Sequence, residues 1–328
     1  MNFAFIIDPI ERLDPGHDST VAMMEAAQER GHGVWVTRID QLSVRSGQTW
    51  ANLTPVQLQP VSLKQGRYDI PQPWYQLGEP TRRPLGEMQG VFMRQDPPVN
   101  TAYLWATYLL DYVPPPTLVV NQPAALRSAN EKMFALQVPE LLPPTLVSRD
   151  VGEIREFITR YGPGVLKPLG GKAGEGILYL DPADRNLNSL IELSTQGHLP
   201  VMVQMYLPQV VQGDKRVILL AGEPIGAVNR VPKGHEFRGN MAVGGQAVPC
   251  DITERDREIA ARLKPLLQSA GLYFVGIDVI GGYLTEVNVT SPTGIREIDR
   301  LNGTQLGHKV IAWVEEQCQT RTLKNLKI

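Results

Sequence analysis

Three oxygen-bearing side chains, Asp278, Glu286 and Asn288, lie within eleven residues of a run that reads as two short strands about a Gly281-Gly282 turn. Side chains at i and i+2 of a strand share a face, so Glu286 and Asn288 point together, with Val287 and Val289 packed behind them. Hard oxygen donors with one or two carboxylates, and no His or Cys nearby, suit Mg²⁺, which keeps several waters and shares its shell with phosphates. Asp278 joins them under a condition. A tight two-residue turn sets Asp278 opposite Thr285, on the wrong face; a three-residue loop or a bulge sets it across from Glu286. The second arrangement is the expectation adopted, against the alternative of two carboxylates that merely cap a solvated hairpin.

Other residues point to anionic ligands. Gly170-Gly-Lys-Ala-Gly-Glu-Gly176 is followed by a strand rather than a helix, so it is neither a Walker A loop nor a dinucleotide fingerprint. A glycine loop between antiparallel strands can fold over phosphates with no Cβ in the way, or can be a simple hairpin tip. Lys167 sits in an otherwise apolar strand, where an ammonium is costly without an anion partner. Lys132 alone reads as a surface lysine. Arg216 can fork onto a phosphate or carboxylate, or pair with Asp214. Residues 231–246 hold four glycines around Arg238, and a segment of this length without periodicity reads as a lid. The sequence holds no GxSxG elbow and no HExxH, and its five histidines have no metal-ligand spacing.

The elements that must position these groups fall into two textures. Residues 3–7, 19–30 and 34–39 read as strand, helix and strand, with Asp18 or Ser19 as N-cap, a βαβ opening. Residues 49–86, rich in Pro, Gln and Arg, read as an irregular excursion with at most a short strand pair. Strand 90–94, helix 101–112 and strand 117–121 complete a parallel unit, with a boundary near residues 121–123. Beyond it the pattern turns antiparallel: strands at 146–148, 165–168, 177–180, 201–206, 215–220 and 224–230, with helices at 151–161, 187–196, 254–270 and 305–317. The expected class is α/β (α+β), in three units at 1–122, 123–200 and 201–328. A chain of 328 residues with 42% hydrophobic and 20% charged residues is ordinary for a globular protein, and a net charge of −2 offers no basic field for nucleic acid. Cys250 and Cys318 stand far apart, and no stretch has the length of a membrane helix; a reduced cytosolic setting is the expectation.

Asn130-Glu-Lys132, Val165-Leu-Lys-Pro168 with its glycine loop, Asp214-Lys-Arg216, Arg238-Gly-Asn240, Asp278 and Thr285-Glu-Val-Asn-Val-Thr-Ser-Pro292 together resemble the ATP-grasp ligases. Asp8-Pro-Ile10, Met93-Arg-Gln-Asp-Pro-Pro98 and Ser291-Pro-Thr-Gly-Ile-Arg-Glu297 extend the resemblance, almost end to end, to the bacterial glutathione synthetases. It implies an ATP-grasp fold behind a parallel-sheet N-terminal domain, and ATP-dependent ligation of γ-glutamylcysteine to glycine through an acyl phosphate. Under it, Lys132 and Lys167 hold phosphates together with Gly170, Gly171, Gly174 and Asp214, and Gln204, Met205, Tyr206 and Leu207 line the adenine slot. Asp278, Glu286 and Asn288 carry Mg²⁺ or Mn²⁺, and Arg216, Arg238 and Asn288 neutralise the transferring phosphoryl group. Ser291 and Thr293, with Asp18 and Ser19, bind substrate, and the chain is a homotetramer. Departures are Gln95, where the family more often has Lys, Asn100, more often Asp, and the lysine inside the glycine loop. The competing readings are another ligase of this fold, or a nucleotide-binding module without turnover.

Overall fold

The structure is a computed structural model and describes residues 1–171, 174–233 and 244–325. The βαβ opening is present as β1 (Asn2–Ile6), α1 (Ser19–Glu29) and β2 (Gly33–Thr37), with β1 and β2 parallel. Asp18 is the N-cap, its carboxylate accepting from the Thr20 amide at 2.6 Å.

The stretch expected to be irregular is β structure. After β3 (Leu42–Arg45) it contains the eleven-residue β4 (Gln48–Leu58), β5 (Ser62–Lys64), β6 (Arg67–Asp69), β7 (Tyr75–Leu77) and β8 (Thr81–Pro84). Alternation is there, with Thr49, Ala51 and Leu53 buried, but its phase slips at Thr54-Pro55 and resumes at Val56 and Leu58. That slip, in a stretch of small and polar residues, hides the period of two. Three further elements, β9 (Gly90–Met93), α2 (Thr101–Leu110) and β10 (Leu118–Val120), finish an eight-stranded sheet ordered β10-β9-β1-β2-β4-β3, with β7 and β8 also on β4.

After α3 (Pro123–Ser128) come β11 (Thr145–Ser148), α4 (Val151–Tyr161), β12 (Gly164–Pro168), β13 (Leu178–Leu180), α5 (Leu187–Thr195) and β14 (Val201–Met205). They form an antiparallel sheet, β11-β14-β12-β13, so β14 pairs into this layer although it follows residue 200. The layer has its own core, in which Ile154, Ile158, Leu166, Ile191 and Val203 are fully buried.

The third sheet, β17-β16-β15-β18-β19, is built from β15 (Asp214–Leu220), β16 (Glu223–Val231), β17 (Gln246–Pro249), β18 (Phe274–Ile280) and β19 (Tyr283–Asn288), with α6 (Glu254–Ala270) between β17 and β18. A Thr253–Asp256 capping box opens α6, and Gly271 closes it at φ +73°. Two helices end the described chain. α7 (Ile295–Asn302) was not anticipated, because half of its residues are charged and its buried face includes Arg296 and Glu297. α8 (Leu306–Asn325) runs past the expected end at residue 317 and packs on α1, where a Cβ at Gly307 would lie 2.7 Å from the Ala22 carbonyl oxygen. Two apolar clusters join the first and third sheets: Ile6, Val91, Val217 and Ile277 share one, and Phe5, Val36, Ile218 and Phe274 the other. The second sheet thus stands as a separately cored layer beside a fused base. Among the described residues, no helix is long and apolar enough to cross a membrane.

Candidate active site

The β18–β19 hairpin satisfies both halves of the condition placed on it. Its turn is the tight one, Gly281-Gly282 at φ +56° and +81°, with Ile280 opposite Tyr283 and Val279 opposite Leu284. A bulge next to Asp278 then shifts the ladder by one residue, so that Asp278 faces Glu286 and Thr285 is the extra residue. The Thr285 hydroxyl donates to the Asp278 carbonyl at 3.2 Å, and Asn288 Nδ2 donates to Asp278 Oδ2 at 3.2 Å.

A second bulge does the same for the neighbouring hairpin. Counting back from Leu220 opposite Glu223, a strict ladder puts Asn229 across from Asp214; the irregularity between Ile218 and Leu219 puts Arg230 there instead. Arg230 Nη2 donates to Asp214 Oδ2 at 2.6 Å and lies 3.0 Å from Asp278 Oδ1. Arg216, paired with Asp278 across β15 and β18, grips that carboxylate at 2.5 and 3.1 Å, so its ionic partner is Asp278 and not Asp214. These four groups form a buried quartet. Burial would push Asp278 up, but Arg216 and Arg230 overcome it and hold the carboxyl well below its usual range. Asp214 is pushed the other way, by burial first and by the Asp278 charge, against the pull of Arg230.

Lys132 is no surface lysine: it is 5% exposed, with Nζ 3.1 Å from Glu286 Oε1 and 3.0 Å from the Gly171 carbonyl oxygen. Asn130 and Glu131 hold its segment in place. Asn130 Oδ1 accepts from the Lys132 amide, and Glu131 Oε1 accepts from the amides of Val289 and Thr290 and from the Thr290 hydroxyl. Lys167, on β12, donates to the neutral Gln204 Oε1 at 2.7 Å in place of an anion. Its ammonium pKa is lowered, by burial first and by Lys132, while Glu286, Asp214 and Asp278 oppose the shift. A desolvated cation whose only hydrogen-bond partner among the described residues is an amide is prepared for a ligand anion.

All of these groups line one cleft of about 690 Å³, within the size range of small-molecule sites. It brings together Lys132, Lys167, Gly171, Gly174, Gln204, Met205, Tyr206, Leu207, Asp214, Arg216, Asp278, Glu286, Asn288, Asp18, Ser291 and Thr293. Gly170 is not among the lining residues. Ser19 is not either; fully buried, it accepts from the Ile295 amide at 3.1 Å and so anchors α7. Of the proposed adenine-slot backbone, the Met205 and Tyr206 amides already donate to the Pro144 and Pro163 carbonyls. Arg238 and most of the expected lid, at residues 234–243, lie outside the described residues, as do Lys172 and Ala173 of the glycine loop.

Sequence reasoning missed Arg230, Tyr103 and His17. Arg230 carried a readable signal, a basic residue on the strand that pairs with Asp214, but only with the bulge included. Tyr103, 1% exposed on the first turn of α2, lines the cleft with its hydroxyl unpartnered among the described residues. His17, at the other end, has Nδ1 2.5 Å from Glu297 Oε1. That hydrogen bond raises its pKa against the opposing effect of burial.

The oxygen set on the hairpin is of the kind a hard divalent cation takes, two carboxylates and an amide facing the cleft beside lysines suited to phosphate, with both Asp278 oxygens at present accepting from Arg216, Arg230 and Asn288. Among the described residues no group of three or more His, Cys, Asp or Glu side chains able to hold a metal ion exists, so two carboxylates and an amide are what the hairpin offers.

Comparison with known proteins supports the same chemistry. Residues 1–127 match the model of the prokaryotic glutathione synthetase N-terminal domain, and residues 131–303 that of the prokaryotic glutathione synthetase ATP-grasp domain. The chain is 65% identical over 316 residues to a glutathione synthetase of Thermosynechococcus vestitus, covering 96% of this chain and 99% of that protein. To a glutathione synthetase of Synechocystis sp. it is 63% identical over 319 residues, covering 97% and 100%. Among solved structures it is similar to D-cycloserine synthetase DcsG, with a TM-score of 0.64 at 15% identity and coverage of 97% and 100%. The ATP-grasp ligase PsnB bound to a minimal precursor gives 0.62 at 19%, with coverage of 96% and 98%. At those identities the likeness speaks for the fold alone.

Proposed function

Because the chain belongs to the prokaryotic glutathione synthetase family, an ATP-dependent ligase joining glycine to γ-glutamylcysteine, we propose that the cleft between its second and third sheets is where that reaction runs. One observation carries the assignment: Lys132, Lys167, Arg216, Arg230, Asp278, Glu286 and Asn288, drawn from separate segments, converge on one cleft. Lys132 and Lys167 bind the phosphates of ATP, and Gly171 and Gly174 let the chain approach them closely. Gln204, Met205, Tyr206 and Leu207 form the slot for the base. The cysteinyl carboxylate takes the γ-phosphoryl group, and the amine of glycine then attacks the acyl phosphate and expels phosphate. Arg216, with Arg230 behind it, offsets negative charge as it develops, which is the main demand of phosphoryl transfer. Asp278, Glu286 and Asn288 would hold Mg²⁺ or Mn²⁺, whose role is to neutralise the phosphate oxygens. Ser291 and Thr293 orient the γ-glutamyl carboxylate of the dipeptide at the far end, and Asp18, itself an anion, suits the ammonium beside it.

An acyl phosphate must be kept from water, and the separately cored second sheet is built to close over the base as a unit. We place the joints of the three units at residues 121–123 and 207–213, in a reduced cytosolic homo-oligomer; Cys250 and Cys318 are both free thiols. A phosphate-release assay with γ-glutamylcysteine and glycine, set against D-alanine pairs and peptide C-termini as acceptors, tests the reading. Preference for either of the latter, or ATP binding without turnover on any, would remove it.

A further inference from the structure

The β5–β6 hairpin stands apart from the large sheet: its two three-residue strands pair only with each other. So short a ribbon has little stability of its own, and its position is set by what it touches. Those contacts converge on α7. At its base, the Val61 amide donates to Glu25 Oε1 at 3.1 Å, while Glu25 Oε2 accepts from Arg296 Nη2 at 2.6 Å. The Tyr68 hydroxyl donates to the Arg296 carbonyl at 2.8 Å, and the Arg296 guanidinium lies 5.2 Å from the centre of the Tyr68 ring. At the tip, the Gly66 carbonyl accepts from Arg300 at 3.4 Å. On its other side the ribbon meets the segment before α1. A Cβ at Gly16 would sit 3.4 Å from Ile70 and 3.7 Å from Tyr68, beside His17.

The ribbon therefore bridges the two segments that meet at His17 and Glu297, and it does so where α7 begins. Residues 291–293, which line the cleft, run directly into that helix. The loop is also held directly: the Ser291 hydroxyl donates to the Arg94 carbonyl at 3.3 Å, Arg94 donates to the Pro292 carbonyl, Arg216 to the Thr293 carbonyl, and just beyond the loop the Ile295 amide donates to Ser19. Arg296 Nε is buried with no partner among the described residues, so Glu25 and Tyr68 fix where that side chain lies.

We propose that the β5–β6 hairpin is a positioning arm for the acceptor end of the cleft, in which Tyr68, acting through Arg296, sets the first turn of α7 and with it the loop that receives the dipeptide. The inference rests on the reading that residues 291–293 hold the γ-glutamylcysteine carboxylate. Tyr68 touches no reacting group, and its influence is on dipeptide recognition, leaving ATP binding alone.

Steady-state kinetics of the full chain test this with Tyr68→Phe, which keeps the ring and removes the hydroxyl, Tyr68→Ala, and Ser291→Ala as a marker of the loop. Loss of one hydrogen bond corresponds to a rise of about fivefold in KM for the dipeptide in Tyr68→Phe, and loss of the ring as well to on the order of tenfold in Tyr68→Ala. KM for ATP and kcat at saturation stay at wild-type values, and the melting midpoint of Tyr68→Phe falls by no more than about 2 °C. An unmoved dipeptide KM in both Tyr68 variants, or a parallel rise in KM for ATP, overturns the arm. If Ser291→Ala also leaves the dipeptide KM unmoved, the loop assignment itself is wrong; if only the Tyr68 variants do, the arm alone is.

Discussion

Replacing Asp278 with Asn keeps the shape of the side chain and removes one negative charge from between two guanidinium groups. Asp278 is 2% exposed, 2.5 and 3.1 Å from Arg216 and 3.0 Å from Arg230. After the change, Asp214 alone faces both arginines, and a net positive charge is left where water does not reach. Breaking a buried pair from one side costs about 3–5 kcal/mol. For 328 residues the unfolding entropy near the midpoint scales to roughly 0.7 kcal/mol/K, so the melting midpoint should fall by about 4–7 °C. The pH dependence follows from the depressed carboxyl of Asp278. Its stabilisation is complete above the unfolded value near pH ~4 and is lost as pH falls through the lower folded value, so wild type and variant differ fully at neutral pH and converge only in strong acid. Melting curves across pH read the stability, and phosphate release reads turnover, which should drop by on the order of 10²-fold. Adding Arg216→Gln rebalances the charge and leaves the 2.6 Å Arg230–Asp214 pair intact. The double variant should regain more than half of the lost midpoint and none of the activity. An unchanged midpoint in Asp278→Asn, or a double variant less stable than the single, would refute the reasoning.

Lys167→Met exchanges a buried ammonium, bonded among the described residues to the Gln204 amide alone, for an apolar side chain of similar length. The melting midpoint should hold or rise while phosphate release falls on the order of 10²-fold; a midpoint that drops instead would make Lys167 a structural residue. His17 has a raised pKa through Glu297, so its stabilisation is full below the ordinary value near pH ~6.5 and is lost as pH rises through the higher folded value. The midpoint gap between wild type and His17→Gln should accordingly shrink on the alkaline side of neutrality, and a gap that widens there contradicts the pairing. Gly307→Ala drives a methyl to 2.7 Å from the backbone oxygen of Ala22, where no side chain can swing aside. A loss of about 1–3 kcal/mol is expected, read as a lower melting midpoint, and wild-type stability would mean that the α1–α8 contact gives way freely.

Local patterns carried a good part of this protein. The capping residues of α1 and α6, the helix at Val151–Tyr161 and the Gly271 stop are written in adjacent residues, because caps and turns are satisfied within a few positions. Lys167, Asp278 and Glu286 were equally legible, since each breaks the apolar or periodic character of its surroundings, whereas Lys132 read as a surface lysine and entered only through the family resemblance. β4 was not, because its alternation changes phase at Pro55 and only its partners show which face is buried. Nor was α7, whose charged residues become interior through Glu25 and His17, both far away in the chain.

The bulges mark the limit most clearly. A strand's side chains alternate strictly, so a single extra residue decides whether Asp278 meets Glu286 and whether Arg230 meets Asp214. Sequence named most of the groups proposed for the chemistry; sheet pairing chose which of them face each other. That choice is a property of the whole sheet, since register is fixed by how both faces pack against elements hundreds of residues apart, and no window of neighbouring residues contains it.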